Sequence, residues 1–183
     1  MAPEFKSIAS PTDGFFAWFD AEDPATGITA LDQLDLYIEA EGPFDGILAF
    51  SQGATLAATW LARAATRERR KGLSATDTRN LGGIKCAVLF SAGGVFDAES
   101  LGSGTARMLN VEDDGELIPI PTAHIWGQHD TTINAEGVMR VCRSENRQQL
   151  IHEGGHEIPS IKMPDAVMAS VKMMRRVISS ASY

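Results

Sequence analysis

Gly42-Pro-Phe-Asp-Gly-Ile-Leu-Ala-Phe-Ser51-Gln-Gly53 is the stretch on which the reading of the chain turns. Ile47, Leu48, Ala49 and Phe50 form a short apolar run, preceded by the turn-forming pairs Gly42-Pro43 and Asp45-Gly46. Such a continuous run predicts a buried strand of a parallel sheet rather than a half-exposed one. Downstream, Ala54, Leu56, Ala57, Ala58, Trp60, Leu61, Ala64 and Ala65 predict a helix with its apolar face inward, running to about Lys71. Ser51 therefore stands where strand turns into helix, in the pattern Ala49-x-Ser51-x-Gly53. This is close to the G-x-S-x-G turn that lifts a serine hydroxyl off a sheet edge, with Ala in place of the first Gly. The helix start behind it offers N–H groups and a positive dipole end to a developing oxyanion. The same placement also suits a plain helix N-cap, so the rest of the chain must decide between the two.

The 183 residues are 44% hydrophobic and 22% charged, the profile of one globular domain spanning 1–183, with 1–26 irregular. A net charge of -8 argues against nucleic acid or an anionic membrane as partner. Two cysteines, Cys86 and Cys142, form no disulfide framework and point to a reducing compartment. No apolar run reaches membrane-spanning length and Met1-Ala-Pro-Glu is no signal sequence, so the expected location is cytoplasmic.

Outward from the elbow, the first 26 residues hold Pro3, Pro11, Gly14 and Pro24 around the aromatics Phe15, Phe16, Trp18 and Phe19. Ile28, Leu31, Leu34, Leu36 and Ile38 predict a helix of about three turns. A polar loop is expected over 72–83, then a second strand over Ile84–Phe90 ending at Ser91-Ala-Gly-Gly94. Residues 95–120 lack periodicity and read as a solvated loop or a cover over a site. Further strands are expected at Thr122–Trp126 and Gln148–His152, with a helix at Asn134–Arg143 between them. A last helix from Pro164 is expected to bury Val167, Val171, Met174 and Ile178.

Strands thus alternate with helices, giving an α/β architecture whose sites gather beyond the C-terminal strand ends. Ser51, Asp130 and His156 each follow a strand, in the order Ser…Asp…His of the α/β-hydrolase fold. The chemistry needs each type: imidazole takes the hydroxyl proton, and a buried carboxylate orients the ring and stabilises its cation. Taken singly, Asp130 also suits a turn and His156 a surface loop. His152-Glu-Gly-Gly-His156 spells H-E-x-x-H, but two glycines and Pro159 argue against the helix a zinc site would require. No cofactor and no metal are expected, and His124 and His129 read as structural or exposed.

Four separated motifs resemble the fungal FSH family of serine hydrolases: Glu41–Ala54, Ser91–Gly94, Pro121–Asp130 and His152–Pro159. The resemblance runs from about residue 15 to the C-terminus. It implies an α/β-hydrolase, a mostly parallel sheet flanked by helices, with Ser51, Asp130 and His156 as triad. It further implies a small-molecule ester or thioester as substrate, with a polyketide synthase as a candidate supplier of the acyl product. Relatives begin with a strand and an H-G-x loop that supplies a second oxyanion donor; no match precedes Phe15. The expectation is an N-terminally shortened sheet with the Gln52 N–H as oxyanion donor. Two readings follow: a hydrolase acting through an acyl-enzyme, or a remnant that binds a small acyl ligand or a partner protein.

Overall fold

The computed structural model describes residues 16–72, 81–131 and 133–181. Phe15, the residues before it, and 73–80 of the expected polar loop lie outside the described residues. Helix α1 spans Pro24–Glu41, followed by strand β1 (Gly46–Phe50), helix α2 (Gln52–Arg70) and strand β2 (Cys86–Phe90). Short helices α3 (Ala98–Gly102) and α4 (Val111–Asp114) precede β3 (Thr122–Gly127). Then come α5 (Ala135–Arg140), β4 (Arg147–His152) and α6 (Pro164–Ser180). The strands form one parallel sheet in the order β1-β2-β3-β4.

Each face of the sheet has its own core. On one, α1 and α2 bury Leu31, Ala54, Ala58 and Leu61 against Ala87 and Leu89 of β2. On the other, Val177 of α6 packs with Cys86, Val88 and Phe90 of β2 and with Ala123 and Ile125 of β3. The two cysteines are free thiols, one in each core. Burial pushes the Cys142 thiol up to about 12 and raises Cys86 as well.

Several expectations are corrected. Strand β1 is not buried on both faces: it is the end strand of the sheet among the described residues, and Leu48 is 64% exposed. Leu48 stands level with Val88, on the face that α6 covers over β2, β3 and β4. Helix α1 starts at Pro24, so residues 24–26 are helical rather than irregular. The Asp23 carboxylate accepts from the Ala25 N–H, and proline at the first helical position needs no hydrogen-bond acceptor. Leu36 is exposed, because residues two apart on a helix cannot share a face with Leu34 and Ile38.

Helix α6 fully buries Ala166, Ser170 and Val177; of the expected stripe, Met174 packs partly buried against the core, Val167 and Val171 are half-buried, and Ile178 is exposed. The buried Ser170 hydroxyl donates to the Ala166 carbonyl within the helix. Residues 95–120 are not a solvated loop either. Val95, Leu101, Leu117, Ile118 and Ile120 are buried, and Ile118 bridges to Cys142.

Polar groups join α1 to α2. The buried Arg63 guanidinium donates to Asp32 and Asp35, and Trp60 Nε1 also donates to Asp35. Burial alone would raise the Asp35 carboxyl, but the bonds from Trp60, Arg63 and Arg67 outweigh it and hold the group below its ordinary value. A depressed carboxylate contributes stability that is present above its unfolded pKa of 3.8 and lost as pH falls through the lower native value. Asp35→Asn is expected to cost about 2 kcal/mol at neutral pH, since Arg63 loses a charged partner. Urea unfolding from pH 7 to pH 3 should show a smaller acid loss in the variant than in the parent chain.

Candidate active site

Ser51 joins β1 to α2 with φ 55° and ψ -122°, a backbone conformation rare for a residue with a side chain. Its neighbours hold it there: the Ser51 N–H donates to the Phe90 carbonyl at 2.9 Å, and the Ser51 carbonyl accepts from Thr55 N–H at 3.0 Å. Although Ser51 occupies the N-cap position, its side chain makes no capping bond. The hydroxyl instead lies 2.7 Å from His156 Nε2.

His156 Nδ1 lies 2.7 Å from Asp130 Oδ2, and the Asp130 side chain is completely buried. A carboxylate can only accept, so the Nδ1–H donates to Asp130 and Nε2 is left to accept the Ser51 proton. Phe50, one residue before the serine, packs on the His156 ring with centroids 5.1 Å apart. The structure thus brings together three of the expected site residues, Ser51, Asp130 and His156. Gln52, the fourth, heads α2, where its N–H has no acceptor within the helix.

Reaching Ser51 from β4 requires the histidine loop to cross three inter-strand spacings, roughly 14 Å. The loop is laced to the aspartate turn by main-chain bonds. Gln128 N–H donates to the His152 carbonyl at 2.8 Å and His129 N–H to the Gly154 carbonyl at 3.1 Å. Gly127 makes this approach possible: a Cβ there would stand 2.2 Å from the Gly154 oxygen and 2.3 Å from that of Gly155.

The H-E-x-x-H reading has no helix to rest on, since residues 153–163 are non-helical. His152 Nδ1 accepts from the Gly154 N–H, while His156 faces Ser51 and Asp130. His124 is buried in β3 beside Thr122 Oγ1, and burial lowers it to about 3, so it is a neutral core imidazole.

Three supports were missed from sequence. Thr55 and Thr59, one turn apart on α2, accept from Gly93 N–H at 2.9 Å and Phe96 N–H at 3.1 Å, fastening the loop after β2. Two threonines at i and i+4 in an alanine-rich helix were the available signal. Ser91, at the end of β2, also has positive φ, 47°, which only its Ser-Ala-Gly-Gly context hinted at. The third is the Gln52 side chain: its Oε1 accepts from Trp18 N–H at 2.8 Å and its Nε2 donates to the Phe19 carbonyl at 2.9 Å.

A parallel sheet carrying a serine on a strained strand-to-helix turn, with histidine and aspartate delivered from later strand ends, defines an α/β-hydrolase. Solved structures agree on the fold. A carboxylesterase from Mesorhizobium loti superposes with a TM-score of 0.51 at 17% identity, covering 90% of this chain and 71% of that one. The esterase domain of a Rhodothermus marinus protein gives 0.50 at 10% identity, covering 82% and 69%.

The family described as serine hydrolase (FSH1) matches residues 2–166. Esterase FPY3 of Fusarium mangiferae is 33% identical over 171 residues, 92% of this chain and 72% of that protein. Family of serine hydrolases 2 of Saccharomyces cerevisiae is 29% identical over 160 residues, 80% of this chain and 62% of that protein. The chain belongs to the FSH1 family of serine hydrolases. It is thus a member of a family of hydrolytic enzymes, with an esterase among its relatives.

Gly127→Ala tests the lacing of the two loops. Forcing them apart should cost about 1–3 kcal/mol of stability, the usual penalty for overpacking. The His156 ring should also leave Ser51, which a crystal structure of the variant would reveal as a lost 2.7 Å contact.

Proposed function

We propose that this chain hydrolyses a carboxylic ester or thioester through an acyl-enzyme on Ser51. The observation that carries the reading is the Ser51–His156–Asp130 chain of 2.7 Å contacts, with the hydroxyl withheld from helix capping. Ser51 Oγ attacks the acyl carbon as its proton passes to His156 Nε2. Asp130 keeps the ring oriented and offsets the charge of the imidazolium. The Gln52 N–H, at the positive end of α2, holds the developing oxyanion. Collapse of the tetrahedral intermediate expels the alcohol or thiol, which takes the proton from His156. A water then repeats the sequence in reverse roles, releasing the acid and restoring Ser51.

The substrate is a small molecule, and no helix of the described residues is long and apolar enough to cross a membrane. The motifs around Ser51, Asp130 and His156 resemble the branch acting on polyketide products. An acyl product of a polyketide synthase in the cytoplasm is accordingly the physiological substrate proposed.

Labelling the purified chain with a fluorophosphonate probe tests the reading. The parent should label, and Ser51→Ala should not; His156→Ala should slow labelling by at least about a thousand-fold, as loss of the general base does elsewhere. A folded parent chain that fails to label would overturn the hydrolase reading in favour of a remnant binding an acyl ligand or a partner.

A further inference from the structure

Gln52 is placed to do two things with two parts of one residue. Its backbone N–H stands at the head of α2 beside Ser51, and its side-chain amide reaches back to the main chain of Trp18 and Phe19. The amide orientation is fixed by these partners, because the Trp18 N–H can only donate and the Phe19 carbonyl can only accept. Both bonds go to main chain, across 34 and 33 residues of sequence, so they hold the segment whatever side chains it carries.

The segment held this way has two faces. Phe19 packs against the α1–α2 core and lines an apolar pocket with Leu31, Leu56, Phe96 and Leu101. The Trp18 indole lies over Gly53, whose Cβ position would be 3.4 Å from Trp18 Nε1, yet the residue is 67% exposed. An exposed aromatic ring therefore lies over the residue that follows Gln52 in the chain. Asp20, the nearest charge in this segment, is occupied by the turn, its carboxylate accepting from Glu22 N–H and its own N–H donating to Thr26 Oγ1.

We propose that Gln52 is a positioning residue: its side-chain amide clamps Trp18–Phe19 to the elbow and so builds an apolar wall against which an uncharged acyl chain lies. The proposal rests on the reading of Ser51 as nucleophile. A wall fixed before the ligand arrives needs no ordering on binding, so the clamp acts on recognition of the chain more than on attack at the carbonyl.

Gln52→Met is the informative variant, since it keeps the side-chain stem and the backbone N–H at 52 but removes both amide bonds. Amide hydrogen exchange over 16–24 in the full chain should accelerate about ten-fold, in keeping with loss of one to two hydrogen bonds. Two fluorophosphonates, one carrying a methyl and one an octyl chain, should respond differently. The ratio of octyl to methyl labelling of Ser51 should fall about ten-fold in the variant relative to the parent, whatever the change common to both probes. Trp18→Ala keeps the main-chain bonds, and it should lose the octyl preference with exchange of the remaining segment unchanged. Unaltered exchange in Gln52→Met, or an unchanged octyl-to-methyl ratio, would overturn the clamp. A parent chain that labels with neither probe overturns the nucleophile reading, and the acyl wall with it, while exchange still decides whether Gln52 holds the segment.

Discussion

Everything at the site depends on Ser51 being held at φ 55° and ψ -122°. A residue with a side chain in this region costs on the order of 1–3 kcal/mol, so it persists only where its surroundings over-determine it. Here they do, because the N–H is fixed by β2 through Phe90 and the carbonyl by α2 through Thr55. An unstrained serine at a helix start would turn its hydroxyl onto the exposed N–H groups of the first turn. Here the Ser51 oxygen makes no bond to the helix and lies instead against His156 Nε2. The same backbone distortion sets both the direction of the hydroxyl and the freedom of the helix N-terminus.

The second constraint is distance across the sheet. Serine comes from β1, aspartate from the end of β3 and histidine from beyond β4, with β2 lying between the first two. The loop after β4 folds back over the turn after β3, and its carbonyls are received there by main-chain N–H groups. Close passage of two backbones is possible only because Gly127 has no side chain. Phe50 then completes the arrangement, giving the imidazole an aromatic surface on the strand that ends at Ser51.

Much of this was legible in the sequence. The strands are short apolar runs bounded by turns, and their ends carry the three polar residues in an order that limits the fold. What failed has a common cause: patterns report that a residue is apolar, not what stands opposite it. Leu48 belongs to a continuous apolar run, yet α6 covers only the neighbouring strands on its face. Val167 and Ile178 were expected inside on periodicity, but the fully covered residues of α6 are Ala166, Ser170 and Val177. Gly154 and Gly155 are visible in the sequence as helix breakers, whereas the closest main-chain approach falls on Gly127, a contact no local pattern encodes. The reach of the Gln52 amide to Trp18 spans 34 residues and was equally invisible.

The two thiols have a consequence for how this chain can be followed in solution. Cys86 lies in the core beneath α6, and Cys142 in the opposite core, beside Ile118 and Val138. Both are buried and held as neutral thiols, so neither reacts with an alkylating reagent until its own layer opens. The sheet between them separates the two sites. Their alkylation rates are independent clocks, one for each side of the molecule: equal rates mean that the layers come apart in a single event, and unequal rates name the side that opens first.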